Sequence, residues 1–347
     1  MPEPGPDQRI PVVLLTGFLG SGKTTVLNAW LHDPALHDAA VIVNEFGEVG
    51  IDHALIASSN DNMIELSSGC LCCTVRGELV DTLRELVAAR AGGEIRRFDR
   101  VVIETTGLAD PAPVIQALMT FPVARTYRLG RVLTVVDGVQ GMGTLDRHRE
   151  AVKQAAVADE LIVTKTDLET PDLEALTDRL RGFNPGAAQH LAAAGRVPPA
   201  TLLRGFDIYD PANRTETVRA WLGAETASGH DHDHEHDPNR HDAEIQSFCL
   251  SFDTPLEWEH VAVWLDALVI AHGDDLLRVK GIIDVIGRDR PVVVQAVQRL
   301  FHPPAELPAW PAGKRNSQIV FITRGLAREF VAEVLETVRS RAPASAA

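Results

Sequence analysis

The sequence lacks long apolar runs and a secretory leader. It contains no window of about eighteen uninterrupted apolar residues, so it predicts no membrane-spanning helix. The first ten residues, MPEPGPDQRI, have no basic stretch followed by an apolar segment, so they predict no signal peptide. We therefore expect a cytoplasmic protein without a membrane partner.

Basic residues are too few for a general affinity for nucleic acid. Lysine and arginine number 33 against 48 aspartates and glutamates, which gives a formal net charge of −15 at pH 7. Sequence-independent binding to phosphate backbones needs a positive surface, and this composition does not supply one. We expect no nucleic-acid partner. The 347 residues, 45% of them hydrophobic, are enough for two domains with buried cores.

Cysteine is scarce, and its placement is uneven. Three of the four cysteines are Cys70, Cys72 and Cys73. This spacing is too tight for an ordinary disulfide framework, and a reducing compartment would keep the three as thiols. The cluster therefore indicates metal ligation or redox chemistry.

Apolar strand candidates alternate with helical stretches through the first 225 residues. Near-continuously apolar strands separated by helices indicate a parallel sheet covered on both faces. We predict an α/β doubly wound domain over residues 1–225. The predicted strands are 9–16, 40–43, 100–104, 131–137 and 160–164, and the predicted helices are 26–31, 77–91 and 114–120.

The composition changes abruptly after this domain. Residues 226–243 include GHDHDHEHDPNRHD, which has no apolar anchor, so we predict a flexible linker. Residues 244–340 predict a small α+β domain with mostly antiparallel strands, and residues 341–347 a frayed tail. The predicted strands here are 244–252, 276–286, 291–297 and 318–323, and the helices are 256–271 and 326–340.

Residues 17–24 read GFLGSGKT and match G-x-x-x-x-G-K-[ST] between a predicted strand and a predicted helix. We name this segment the phosphate loop, because its backbone N–H groups and the helix N-terminus would face phosphates. Lys23 would reach the β- and γ-phosphates, and Thr24 would ligate Mg²⁺. The predicted nucleotide contacts are Gly17, Gly20, Ser21, Gly22, Lys23 and Thr24. The alternative is a glycine-rich turn without a ligand, which the flanking strand and helix disfavour.

A second metal-binding carboxylate is predicted at Glu104. The segment RVVIETTG forms an apolar strand that delivers Glu104 to its carboxyl end beside the phosphate loop, and Gly107 offers a backbone N–H. We expect Glu104 to hold Mg²⁺ and to act in catalysis with Lys23. An exposed glutamate at a strand end is the plainer alternative. Asp137 ends another strand and ranks below Glu104, as a structural cap or a supporting group.

The segment LIVTKTD predicts recognition of guanine. The Asp167 carboxylate can accept from guanine N1–H and its 2-amino group, whereas adenine offers a lone pair at N1. Lys165 would lie along the base. Thr164 stands where the common GTPase motif has asparagine. A strand cap without a base-binding role remains the alternative.

The thiol cluster Ser68-Gly69-Cys70-Leu71-Cys72-Cys73 predicts a site for a soft metal. Cys-x-Cys spacing can turn two thiolates toward one ion with the third adjacent. Taken alone, these could also be buried, inert cysteines.

Five motifs in order, GFLGSGKTT, NEFGEVGID, SGCLCC, ETTGLADP and TKTD, make the sequence resemble the CobW-type metallochaperone GTPases, relatives of the urease and hydrogenase nickel-insertion GTPases. The stretches LLRVKGIID and VQAVQRLF resemble the CobW C-terminal domain. The resemblance implies a P-loop NTPase fold, Zn²⁺ or Co²⁺ at Cys70, Cys72 and Cys73, and a nucleotide role for Thr25. It also implies that GTP with Mg²⁺ tightens the metal site.

Residues 44–48, NEFGE, are interpreted as a switch that senses the γ-phosphate, with Glu45 or Glu48 near Mg²⁺ or the thiol-bound metal. We assign Glu45 to catalysis and Glu48 to the transition metal. A solvated acidic loop is the alternative. Val43 stands where some relatives have a carboxylate, which is a departure from the family pattern.

Alternating histidines in the linker predict weak metal binding. His230, His232, His234 and His236 alternate with acidic residues, and imidazole suits Zn, Co, Ni and Cu. Such a run could raise the local metal concentration near the thiols. A solvated hinge without a metal role is the alternative.

These observations favour a slow GTPase that carries a transition metal and releases it on hydrolysis. The expected partners are GTP, the metal ion and a client metalloprotein or metal-insertion enzyme, with a homodimer as an option. A metal-responsive regulator or storage protein is the runner-up, and a metabolic kinase on the same phosphate loop is a third hypothesis. No arginine or glutamine is marked by sequence as a dedicated catalytic group.

Overall fold

The structure of the chain is a computed structural model that describes residues 9–45, 63–67, 72–169, 172–199, 244–310 and 315–341. The chain divides into two compact units, and each described sheet is built from one part of the sequence. The predicted linker at 226–243 and the predicted domain boundary near residue 225 lie outside the described residues. So does all of the predicted tail except Arg341, which ends the last helix.

The first unit contains a seven-stranded sheet in which every pairing is parallel, in the order β3-β2-β4-β1-β5-β6-β7. The predicted α/β parallel sheet is thus confirmed. The strands are β1 Ile10–Gly17, β2 Ala39–Glu45, β3 Met63–Ser67, β4 Arg100–Glu104, β5 Tyr127–Asp137, β6 Glu160–Thr164 and β7 Ala188–Ala192. The helices are α1 Lys23–Leu31, α2 Cys72–Gly92, α3 Ala112–Met119, α4 Gly141–Arg147, α5 Arg149–Ala156 and α6 Leu173–Phe183.

A fully buried apolar layer joins helix α1 to the sheet. Alternate residues of β1, Val13 and Leu15, pack with Val26, Leu27 and Trp30 of α1, and all five are fully buried. The Trp30 indole donates to the Val197 carbonyl at 2.9 Å, so its one polar atom is satisfied. This packing fixes the start of α1, and with it the phosphate loop, against the central strand.

The strand order brings four carboxyl ends together. β1 lies between β4 and β5, with Leu15 opposite Glu104 and Gly17 opposite Val135, and Asp137 at the end of β5 is opposite Thr164 of β6. Ligands of open α/β sheets bind at this edge, where the loops diverge. The predicted nucleotide residues are therefore carried to one place by topology alone.

The second unit is a mostly antiparallel sheet with two helices, as predicted. Its strand order is β11-β10-β9-β13-β8, with β12 paired to β10. Apolar residues of this sheet pack with Trp264 and Leu268 of the first helix and with Leu335 of the second. The strands are β8 Ile245–Phe252, β9 Leu276–Ile283, β10 Val292–Val297, β11 Leu300–Phe301, β12 Ala305–Glu306 and β13 Ser317–Arg324, and the helices are α7 Trp258–His272 and α8 Arg328–Arg341.

No helix within the described ranges is long and apolar enough to cross a membrane.

Candidate functional site

The phosphate loop turns sharply where β1 ends. Gly17 has φ 144°, and a Cβ there would lie 2.3 Å from the Val135 carbonyl oxygen of β5. No side chain can occupy that space, because real contacts of this kind are more than 3 Å. Glycine at this position therefore lets β1 and β5 remain adjacent while the loop bends away from the sheet.

The ammonium of Lys23 lies inside the curve of the loop. Its side chain is buried, with 7% of the residue exposed, and Nζ donates to the carbonyl oxygens of Gly17 at 3.0 Å and Phe18 at 3.2 Å. A buried positive charge at this position is well suited to an arriving anion, since attraction is stronger where water is excluded. The predicted role of Lys23 at the phosphates is consistent with this placement.

A hydroxyl and a carboxylate meet beside the loop. The Thr24 hydroxyl donates to Glu104 Oε1 at 3.1 Å, and Glu104 is buried at the end of β4. Thr105 fixes this strand end, because its hydroxyl donates to Thr16 Oγ1 at 2.9 Å and its N–H donates to Leu15 O at 3.0 Å. Hydroxyl and carboxylate oxygens are the donors that Mg²⁺ prefers, so this pair fits a nucleotide-bound Mg²⁺.

Gly107 lies in the β4–α3 loop, residues 105–111, and touches the phosphate loop. A Cβ at Gly107 would lie 2.5 Å from both the backbone nitrogen and the Cα of Leu19. The two loops are therefore in backbone contact, which requires glycine for a steric reason.

Lys165 joins the phosphate loop to the end of β5. Its Nζ donates to the Gly20 carbonyl at 2.9 Å and to Asp137 Oδ2 at 2.5 Å. The other carboxylate oxygen of Asp137 accepts from the N–H groups of Val139 at 2.8 Å and Gln140 at 2.9 Å. Asp137 thus caps the turn after β5 and also pairs with Lys165, a partner that the sequence did not predict.

The base-recognition candidate Asp167 is exposed and anchored from one side. Its Oδ1 accepts from the Ala194 N–H at 2.7 Å. This hydrogen bond, with a second from its own backbone amide, lowers the pKa of Asp167 below the usual value, because both bonds stabilise the ionised carboxylate. The loop around Ala194 was not predicted from the sequence. In sequence this loop is marked only by the short segment AAAG, residues 192–195. In the structure its glycine, Gly195, lies against helix α1, because a Cβ there would lie 2.8 Å from Thr25 Cγ2.

Thr164, where the common motif has asparagine, makes a structural contact to the phosphate loop. Its hydroxyl is buried, donates to the Ser21 carbonyl at 2.5 Å and lies 3.2 Å from the Val136 carbonyl. Thr164 therefore provides a polar link between β6 and the phosphate loop.

Several predicted metal residues fall outside the described part of the chain. Helix α2 begins at Cys72, so Cys72 and Cys73 form its first turn, and Glu45 ends β2; the side chains of these three are not among the described atoms. Within the described residues, no group of three or more histidine, cysteine or acidic side chains is arranged to hold a metal ion. The predicted ligands that lie outside the described residues are Cys70, Glu48, His230, His232, His234 and His236.

Comparison with family models gives a match over both sheets. Residues 11–190 match the model described as CobW/HypB/UreG, nucleotide-binding domain, and residues 245–339 match the cobalamin synthesis protein cobW C-terminal domain.

Individual relatives match along most of the chain. The zinc chaperone YjiA of Escherichia coli is 33% identical over 316 residues, which covers 90% of this chain and 93% of that protein. The zinc chaperone CobW of Pseudomonas aeruginosa is 32% identical over 368 residues and covers 95% and 91%. The crystal structure of Zn(II)-bound YjiA GTPase from E. coli has a TM-score of 0.68 at 26% identity, and the match covers 95% of this chain and 99% of that one.

Proposed function

Since the chain belongs to the CobW/HypB/UreG family, with a CobW C-terminal domain, we propose that it is a GTP-hydrolysing metallochaperone. It binds a transition metal, Zn²⁺ or Co²⁺, at Cys70, Cys72 and Cys73, and releases it to a client protein or cofactor pathway in the cytoplasm when GTP is hydrolysed. Relatives that span most of the chain are named zinc chaperones, and this supports zinc as the first metal to test.

The phosphate half of the site performs the hydrolysis of GTP to GDP and phosphate. Lys23 binds the β- and γ-phosphates, and the backbone N–H groups of Gly20, Ser21 and Gly22 cradle them. Thr24 and Glu104 would hold Mg²⁺, which would neutralise charge on the phosphate oxygens. The 3.1 Å contact between these two side chains supports that assignment.

The γ-phosphate is sensed from the neighbouring loops. Gly107 donates its N–H to the γ-phosphate, and Glu45, at the end of β2, acts on the attacking water. Turnover is slow in the absence of a client, because the water-positioning groups are completed by the switch residues 44–48 or by the partner.

The base half of the site selects guanine. The Asp167 carboxylate accepts from N1–H and the 2-amino group of guanine, and the Lys165 stem lies along the base. The exposure of Asp167 and its orientation by the Ala194 N–H support this role, since an ionised carboxylate is acceptor-only and cannot match adenine, whose N1 is also an acceptor. Thr25 lies beside Gly195, the residue that follows Ala194.

The observation that carries the coupling is the order of the strands. β3, β2 and β4 are parallel neighbours, with Glu45 opposite Ser67 and Val43 opposite Glu104. Cys70 comes between the carboxyl end of β3 and helix α2, and Cys72 and Cys73 begin that helix, so the thiol segment follows β3 directly at the sheet edge that carries Glu104. Only one strand, β2, therefore separates Glu104 at the end of β4, where the γ-phosphate is sensed, from the start of the thiol segment at the end of β3. Glu48 and the linker histidines are proposed as additional, weaker metal contacts.

The test is the affinity for Zn²⁺, measured by competition with a chromogenic chelator, in nucleotide-free protein, with Mg²⁺-GDP and with a non-hydrolysable Mg²⁺-GTP analogue. We expect the analogue to tighten zinc binding by roughly 5- to 150-fold, the usual range of such coupling. By linkage, zinc must tighten binding of the analogue by the same factor. Zinc affinity that is equal in all three states would contradict the proposal.

A second measurement separates delivery from signalling. Zinc transfer to the chelator is followed during a single turnover of bound GTP. Release that coincides with hydrolysis supports a chaperone. Hydrolysis without release would favour the metal-responsive regulator instead.

A further inference from the structure

Helix α5 carries a fully buried amide beside the phosphate loop. Gln154 is 0% exposed and lies on the wall of a cavity of about 300 Å³, which Leu19 and Ser21 also line. A glutamine in such a place needs hydrogen-bond partners, because a buried amide without them is costly.

Those partners are in the β4–α3 loop. Gln154 Nε2 donates to the carbonyl oxygens of Gly107 at 3.1 Å and Ala109 at 3.0 Å. One side-chain amide thus holds two backbone carbonyls that flank a single residue.

The helix that carries Gln154 is itself fixed to the sheet. The Thr134 hydroxyl of β5 donates to the Gln154 backbone carbonyl at 2.7 Å. The adjacent Lys153 pairs with Asp110 of the same loop at 2.5 Å. At the other end of the helix, the ring of His148 stacks on Phe18 of the phosphate loop, with 4.4 Å between centroids. Helix α5 therefore contacts both loops that meet at Gly107.

We propose that Gln154 is a positioning residue that holds Gly107 against the phosphate loop and so sets the preference of the site for GTP over GDP. The inference rests on the proposed GTPase function. Gly107 and Leu19 are in backbone contact, so a displacement of the β4–α3 loop moves the Gly107 N–H relative to the γ-phosphate. GDP lacks that phosphate, and its binding should be insensitive to the displacement.

The test compares Gln154→Met with Gln189→Met. Methionine keeps the length and approximate volume of glutamine and removes the amide. Oε1 of Gln154 has no hydrogen-bond partner within the described residues, so the substitution removes only the two donated bonds. Gln189 is the matched control, because its Nε2 also donates to a backbone carbonyl, that of Thr177 at 2.9 Å, and its Oε1 is in the same situation.

The measurements are kcat and KM for GTP, the Kd values of GDP and a non-hydrolysable GTP analogue, and the thermal unfolding midpoint. For Gln154→Met we expect the ratio of analogue to GDP affinity to fall at least about fivefold and kcat about tenfold or more, with the GDP Kd within about twofold of wild type. Gln189→Met should lower only the unfolding midpoint.

A merely structural Gln154 would lower the unfolding midpoint and leave the affinity ratio and kcat unchanged, and that result would overturn the inference. If Gln154→Met does not fold, Gln154→Asn keeps the amide on an arm one methylene shorter, and a wild-type affinity ratio in this variant would also overturn it. Wild-type protein that neither binds nor hydrolyses GTP would instead refute the proposed function, and the inference with it.

Discussion

Gly107→Ala is the sharpest single test of how the two phosphate-facing loops fit together. The added Cβ would lie 2.5 Å from the nitrogen and the Cα of Leu19, whereas ordinary contacts begin at 3.4 Å. Gly107 is not among the residues with positive φ, so alanine is compatible with its backbone conformation and the effect is steric. Both clashing atoms are backbone, so no side-chain rotation can relieve the contact.

The size of the effect follows from that geometry. Relief requires the two loops to separate by about 1 Å, and a misplacement of this size near reacting groups can cost on the order of a hundredfold in rate. Overpacking of this kind also lowers the free energy of unfolding by about 1 to 3 kcal/mol. We therefore expect a folded protein with a kcat for GTP reduced about a hundredfold and nearly normal GDP affinity.

The kcat is measured by steady-state phosphate release, the GDP affinity by titration with a fluorescent GDP, and the loss of stability by thermal unfolding. Gly182→Ala is the control, because no atom lies within 4 Å of the Cβ position at Gly182 in helix α6. Alanine there should raise stability by about 0.5 to 1 kcal/mol through helix propensity and leave turnover unchanged. Wild-type turnover in Gly107→Ala would refute the inferred fit between the loops.

Three further predictions concern the phosphates, the base and the metal. Lys23→Ala should remove most GTP and GDP binding, because the buried ammonium at the phosphates is lost, and titration calorimetry would show it; wild-type turnover would refute the phosphate-loop assignment. Asp167→Asn should weaken GTP binding about tenfold or more and favour XTP, because the amide can donate to the xanthine 2-carbonyl. The control is Asp172→Asn, since Asp172 is another exposed aspartate that accepts a backbone N–H. This variant should leave the GTP to XTP preference unchanged. Cys72→Ala should weaken zinc binding by orders of magnitude, because one thiolate of a small ligand set is lost. The control Cys249→Ala in β8 should leave zinc affinity intact. Equal zinc affinity in the two variants, measured with a competing chelator, would leave Cys72 as a packing residue.

The central strands were predictable because burial on both faces gives them continuous apolar sequence. β4 and β6 have the predicted bounds, and β1 is shifted by one residue. The edge strands were not predicted, because an edge does not require such a sequence; β7, AQHLA, has only one buried residue. Helix α5, REAVKQAA, was also missed, since its buried face is largely alanine, which carries a weak apolar signal.

The same difference separates the site residues that were predicted from those that were not. Lys23, Glu104 and Asp167 belong to local motifs in which chemistry and spacing are visible in a few consecutive letters. Gln154 donates to backbone carbonyls that are distant in sequence, and the Ala194 N–H donates to the distant Asp167 carboxylate, so no local pattern marks either residue. Only the strand order reveals that they are adjacent to the motifs.

The separation of the site along the chain also bears on how the protein folds. The bond from Lys165 to Gly20 spans 145 residues, that from Thr164 to Ser21 spans 143, and that from Trp30 to Val197 spans 167. Closing contacts over such separations costs more chain entropy than forming local helices, so we expect these contacts to form after the local helices. A nascent chain must have emerged from the ribosome through residue 197 before it can make all three of these contacts. The contacts that close the phosphate loop against β6 are therefore available only once the chain through Lys165 has been made, and the contact that holds Trp30 only once Val197 has been made.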